Sequence, residues 1–174
     1  STDETKQVLC GVCLRDGQFA ATDGHRLVVF TPADTIDIEC VIPKGAISAI
    51  KSVCQGGITT YLGGGMLNIQ AGQTTLSTRI IEGSFPNYPQ LIPTQFEREV
   101  KIETASLKDG LDLITALADP KGLLHLEIID HQVFVSSDST ETGMGVCQVT
   151  ADTTSENFKI AFNLKYLREA VNGA

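Results

Sequence analysis

The chain has 174 residues, with 13 Lys+Arg, 21 Asp+Glu and 3 His, a net charge near −8 and 42% apolar residues. That apolar share excludes a disordered chain, and the length allows one domain or two small ones with a real core. No apolar run approaches the ~20 residues of a membrane-spanning helix, no charged-then-apolar leader is present, and the acidic balance excludes a uniformly basic nucleic-acid binder.

The first pattern is a strand meander. Residues 8–14 and 18–22 alternate apolar and small residues around a turn at Arg15-Asp16-Gly17, and a second turn at Asp23-Gly24 leads into a strand opened by His25-Arg26-Leu27 and running to Phe30. A short strand at 39–42 meets Pro43, which suits a first helical turn, and Ile47, Ile50 and Val53 then keep helical spacing. Strands at 59–62, 66–69 and 74–79 form another meander around Gly63-Gly64-Gly65. Residues 86–94 hold three of the six prolines; proline fixes φ and removes a donor, so this stretch reads as an extended domain boundary that cannot sit in a sheet.

The pattern then restarts. A strand at 100–103 leads to Ser106 as an N-cap and a helix striped by Leu107, Leu111, Ile114 and Leu117. Strands at 124–128, 132–136 and 144–149 follow, the first two around Asp130-His131. A last strand at 158–162 meets Asn163, another N-cap, before an amphipathic helix at 164–171.

The unit is one strand, one helix and about three antiparallel strands. Ile42 and Ile102 are 60 residues apart and Ile102 and Ile160 are 58 apart, so the architecture is a repeat. The fold class is α+β, with antiparallel sheets and helices on one face. Residues 1–38 have the strands of a unit without its helix, and 158–174 the start of a unit without its strands. The expectation is a piece of a longer chain, cut inside units at both ends.

Catalytic signatures are absent: there is no phosphate-binding G-x-x-x-x-G-K-[ST], no G-x-S-x-G and no H-E-x-x-H. Asp23 and His25 lie two apart in one tight turn, poor geometry for a base and its orienter, and His125 and His131 read as strand-surface histidines. Cys10, Cys13, Cys40, Cys54 and Cys147 are odd in number and read as reduced cytosolic thiols. Cys10-Gly11-Val12-Cys13 leaves one rival reading, a small metal or redox module on Cys10 and Cys13 with His25. No second C-x-x-C or H-x-x-x-H supports it, and in a strand a spacing of three puts two side chains on opposite faces.

Thr22-Asp23-Gly24-His25-Arg26-Leu27 is by itself a well-formed turn. It occurs in order with Val41-Ile42-Pro43-Lys44, then Phe85-Pro86-Asn87-Tyr88 with Ile92-Pro93, then Phe162-Asn163-Leu164-Lys165-Tyr166-Leu167. This series, from about Val8 to Val171, resembles the bacterial DNA polymerase III beta subunit family, the sliding clamps. The resemblance implies a DNA-clamp fold, with 1–93 most of the second clamp domain and 96–174 the N-terminal part of the third. It implies a cytoplasmic, nucleoid-associated, non-catalytic processivity factor with no cofactor or metal, a homodimeric ring around duplex DNA that reads no sequence.

Two sites follow from the resemblance. A pocket for a short peptide with Leu and Phe anchors, carried by the DNA polymerase III alpha subunit, the clamp loader and repair proteins, would use Leu9, Thr22, Gly24, His25, Arg26, Leu27, Pro86 and Leu91. Asn87 and Gln90 depart from the family there, Asn87 standing where an Asp is usual and Gln90 where some members have Arg. The family's C-terminal tail, one wall of this pocket, is not in this sequence. A DNA-facing lining would use Lys44, Lys51, Lys108, Lys165 and Arg168 on the repeated helices, with Asp34, Asp37, Glu39, Glu97, Glu99, Asp138, Glu141, Asp152 and Glu156 crowded elsewhere.

Overall fold

A computed structural model describes residues 4–34, 36–54, 56–117, 122–137, 145–153 and 156–173. Asp138, Glu141 and Met144 lie outside the described residues, as does the side chain of Leu117. The chain divides into two compact units, Ser1–Pro93 and Thr94–Ala174.

The first unit opens with a 3₁₀ helix at Glu4–Cys10. Strands β1 (Gly11–Arg15), β2 (Gln18–Thr22), β3 (Leu27–Phe30) and β4 (Cys40–Pro43) make an antiparallel sheet in the order β3-β2-β1-β4. Helix α1 (Lys44–Val53) follows, then the meander β5 (Thr59–Gly63), β6 (Met66–Ala71) and β7 (Thr74–Arg79), and a 3₁₀ turn at Tyr88–Leu91. The tight turns are two-residue hairpins with positive φ at both positions, 50° and 70° at Asp16-Gly17 and 57° and 72° at Gly64-Gly65, which match the twist of the strands they join.

Strand alternation sends Cys13, Ala20 and Val41 to one face of the four-stranded sheet, where they pack with Leu9, Phe85 and Tyr88. Leu14, Cys40 and Ile42 go to the other face, with Leu67 and Ile69 of β6 and Ile47 and Ile50 of α1. This sheet is buried on both sides.

The second unit contains β8 (Lys101–Ile102), α2 (Thr104–Leu117), β9 (Leu123–Ile129), β10 (Gln132–Ser137), β11 (Gly145–Val149), β12 (Ala151–Asp152), β13 (Phe158–Asn163) and α3 (Leu164–Gly173). Its main sheet has the order β11-β10-β9-β13, and β12 pairs with β8. Leu124, Leu126 and Ile128 alternate onto one face and pack with Val133, Val135 and Val149 under Leu107, Leu111 and Ile114 of α2 and Leu164 of α3. The opposite face carries polar pairs such as Lys159 with Glu127, which are directly opposed across strands. This sheet is covered on one side.

The two sheets repeat each other. In each, the third, second and first strands of a meander are followed by the strand that leads into a helix. Pro43 ends β4 opposite Gly11 at the start of β1, and Asn163 ends β13 opposite Leu123 at the start of β9. Pro43 and Asn163 are 120 residues apart, two sequence periods. Asn163 caps α3 as expected, its Oδ1 accepting from the Tyr166 N–H at 3.1 Å.

Several expectations are corrected. Val8–Cys10 are not strand: the chain is in a 3₁₀ turn up to Cys10, because packing Leu9 against Phe85 and Tyr88 outweighs the strand preference of the apolar run. Pro43 is not the first helical residue but the extended residue before it, with ψ at 142°. Ser106 is not the N-cap of α2. The helix starts at Thr104, the Leu107 N–H donates to the Glu103 carbonyl at 3.0 Å, and the Ser106 hydroxyl instead accepts from the Thr150 N–H at 2.8 Å. The strand expected to open at His25 begins at Leu27, since Asp23 holds the His25 and Arg26 amides in the turn. The proline-rich stretch is not simply extended: Tyr88–Leu91 forms a 3₁₀ turn, with Pro89 in its first positions, where a fixed φ is compatible and the missing N–H costs nothing.

Candidate functional site: an apolar cavity beside the Asp23 turn

The Thr22–Arg26 turn satisfies its own polar groups. The Thr22 hydroxyl donates to the Arg26 carbonyl at 2.7 Å and accepts from the Gly24 N–H at 3.1 Å. The Asp23 carboxylate accepts from the His25 and Arg26 amides at 3.1 and 3.2 Å, and from the Arg26 guanidinium at 3.0 Å. Partial burial pushes the Asp23 carboxyl up, but these donors together outweigh it and hold its pKa below the usual carboxylate range. Gly24 takes φ of 89°, a conformation that side-chain-bearing residues rarely adopt.

This rigid turn edges a cavity of about 1130 Å³ in the first unit. Of the eight residues expected at a peptide pocket, five line it: Leu9, Thr22, Gly24, Pro86 and Leu91. Leu27 lies behind the wall, packed on the cluster that includes Leu9, Phe85 and Tyr88. His25 and Arg26 are outside the lining; His25 is exposed and Arg26 turns back to pair with Asp23. Gln7, Val8, Arg15, Ser84, Phe85 and Asn87 complete the lining; the family resemblance implies none of them as contact residues and marks Asn87 only as a departure at the rim. Arg15 was within reach of the sequence, because it alternates from Cys13 onto the same face of β1.

The floor is fixed and the rim is open. Phe85 is 2% exposed and packs edge-on against Tyr88, with ring centroids 6.4 Å apart. The Tyr88 hydroxyl donates to Gln18 Oε1 at 3.2 Å, and burial pushes its pKa up. Gly83, at φ of 127°, brings this segment so close that a Cβ would lie 2.8 Å from the Val8 Cγ1. Leu91, by contrast, is 69% exposed at the rim. A concave apolar floor, an exposed leucine at its edge and satisfied polar groups around it suit an apolar-anchored ligand rather than a chemical reaction.

The basic helix residues fall into two groups. Lys44 and Lys51 are exposed at the two ends of α1. Lys165 is exposed on α3 and Lys108 half-buried on α2. Arg168 on α3 shares its charge, its Nη2 donating to Asp112 Oδ1 of α2 at 2.8 Å.

The cysteine reading finds little support. Cys10 ends a 3₁₀ turn while Cys13 is buried in the core, where burial pushes its pKa up. Among the described residues, no group of three or more His, Cys, Asp or Glu is arranged to hold a metal ion.

Comparison with known proteins covers both units. Residues 1–87 match the family model described as DNA polymerase III beta subunit, central domain, and residues 89–173 that described as DNA polymerase III beta subunit, C-terminal domain. The chain is 35% identical to a beta sliding clamp of Synechococcus elongatus over 98% of its length and 28% identical to one of Staphylococcus aureus. It spans about half the length of these relatives, 50% and 49%. Among solved structures it is similar to the DNA polymerase III subunit beta of Pseudomonas aeruginosa, with a TM-score of 0.89 at 19% identity, covering 99% of this chain and 51% of that one. A Caulobacter crescentus beta sliding clamp gives 0.86 at 22% identity, covering 99% and 50%. At these identities the structures establish the fold.

Proposed function

The chain belongs to the DNA polymerase III beta subunit family, and on that premise we propose that it is part of a sliding clamp, residues 1–93 contributing most of a second clamp domain and 96–174 the start of a third. The whole protein encircles duplex DNA as a homodimeric ring in the cytoplasm. It tethers the replicative polymerase without catalysing a reaction. Among the described residues no helix is long and apolar enough to cross a membrane.

In this reading the cavity edged by the Asp23 turn takes the Leu- and Phe-anchored peptide of the polymerase alpha subunit, the clamp loader or a repair protein. Leu9, Thr22, Gly24, Pro86 and Leu91 form the contact surface, Leu27 backs it, and His25 and Arg26 stand outside it. The helix residues Lys44, Lys51, Lys108 and Lys165, with Arg168 in a shared role, face the phosphates. A ring that slides needs diffuse positive charge and no contact to base edges, and lysines on short helices provide that in a chain of net charge −8.

The observation that carries the proposal is the pairing of an exposed Leu91 with a buried Leu9–Phe85 floor in one cavity. Its test is a fluorescence titration of this chain with a labelled peptide bearing Gln-Leu-x-Leu-Phe. Saturable binding is expected, lost in Leu27→Asp and, without disturbing the core, in Leu91→Asp. Absence of binding to the unmodified chain, or equal binding by Leu91→Asp, overturns the cavity assignment.

A further inference from the structure

We infer that Arg15 makes the peptide cavity selective for partners carrying an acidic side chain beside their apolar anchors, an inference that rests on the cavity being a peptide site. Arg15 is the one charged side chain among the described residues lining the cavity. It ends β1 on the face that carries Cys13, so the sheet directs it toward the same side as Phe85 and Tyr88.

Among the described residues no ion pair holds that charge, although Glu39, beside the Cys40 that pairs with Leu14, lies near it across β4 and outside the cavity lining. Its cross-strand neighbour Gln18 accepts from the Tyr88 hydroxyl at 3.2 Å and donates to the Thr31 hydroxyl at 3.1 Å. Asp23, on the adjoining turn, is neutralised by two backbone amides and the Arg26 guanidinium. Asp16 follows Arg15 in the hairpin turn but is outside the cavity lining. Among the described residues, no hydrogen bond or ion pair engages the Arg15 guanidinium. The other polar positions in the lining, Asn87 among them, are neutral. A half-buried guanidinium that lines an apolar cavity, with Asp16 and Glu39 outside that lining, is a positive point that a carboxylate on a ligand complements.

The test uses peptide pairs built on Gln-Leu-x-Leu-Phe that differ only by Asp against Asn, placed before, within or after the core. Each is titrated into the full chain by fluorescence anisotropy at low and at physiological salt. At least one pair is expected to favour Asp by roughly three- to fivefold at low salt, the range of a partly screened charge pair. That ratio should fall to near one in Arg15→Gln and decrease in Asn87→Asp. Circular dichroism and thermal unfolding of Arg15→Gln report that the variant is folded, and the neutral peptide of each pair supplies the reference for its ratio. Asp/Asn ratios near one throughout, or ratios unchanged by Arg15→Gln, overturn the inference while leaving the cavity reading intact. If none of the peptides binds, the cavity reading falls and this inference with it.

Discussion

The sheets β3-β2-β1-β4 and β11-β10-β9-β13 share strand order, antiparallel pairing and the strand-into-helix exit, and the cavity beside the Asp23 turn lies on the first. The difference lies in what covers the second face. In the second unit α2 and α3 bury one side, and the other carries exposed or charged residues such as Glu127 and Lys159. In the first unit α1 and β6 cover one side, while the 3₁₀ turns at Glu4–Cys10 and Tyr88–Leu91 and the Phe85 ring between them cover the other. The repeat supplies a scaffold. The site arises where non-repeating segments lie across its spare face and fill it incompletely.

The largest test of this comparison removes the cover. Phe85→Ala should cost the first unit about 3–5 kcal/mol, because a fully buried ring leaves a void between Leu9 and Tyr88 that a rigid sheet cannot close. Hydrogen exchange should show the loss at β1 and β2 amides, with β9 and β10 amides unaffected, and peptide binding should disappear. Equal loss of protection in both sheets would show that the covering segment does not distinguish them.

A smaller effect sharpens the same contrast through pH. Tyr88→Phe removes one hydrogen bond to Gln18, worth about 0.5–1.5 kcal/mol. Burial raises the Tyr88 pKa, so the folded state holds its phenolic proton more tightly than the unfolded chain does, whose tyrosine titrates near pH ~10. The stability from that difference is fully present below pH ~10 and is lost as pH rises through the folded value. Cys13, also raised by burial, adds a similar loss that begins lower, from about pH 8.5. Urea midpoints followed at β1 and β2 should therefore fall as pH rises above about 8.5, less steeply in Tyr88→Phe. A pH profile unchanged by that variant would place the titration elsewhere.

The scaffold was legible in the sequence because it is written in short-range signals: two-residue turns at Asp16-Gly17, Gly64-Gly65 and Asp130-His131, alternation in β9 and β10, and the Asn163 cap. The cover was less legible. Val8 and Leu9 look like strand residues, and three prolines look like a linker, because their conformation is set by contacts distant in sequence, such as Tyr88 with Gln18. Five residues that the family resemblance implies for a peptide pocket line this cavity, whereas Phe85 and Arg15 become lining residues only once the 3₁₀ turns and β1 are seen around one concavity. Ser106 was misplaced for a related reason: its hydroxyl serves Thr150, a partner 44 residues away.

The smallest expected effect separates the basic residues of the helices. Lys165 is exposed on α3 with no ion pair or hydrogen bond among the described residues, whereas Arg168, one turn on, is held by Asp112. A free lysine that faces a phosphate displaces about one counterion, so its removal lowers the salt slope of non-specific duplex binding by roughly one. A guanidinium already shared with a carboxylate displaces less, and its removal acts mainly through an α2–α3 link worth about 0.2–1 kcal/mol. Anisotropy of a labelled duplex across a low-salt series should therefore show a shallower slope in Lys165→Ala than in Arg168→Ala, while thermal unfolding should shift more in Arg168→Ala. Equal slopes in the two variants would mean that the ion pair leaves Arg168 as available to phosphate as its neighbour, and the second unit would then present two equivalent cations from one helix.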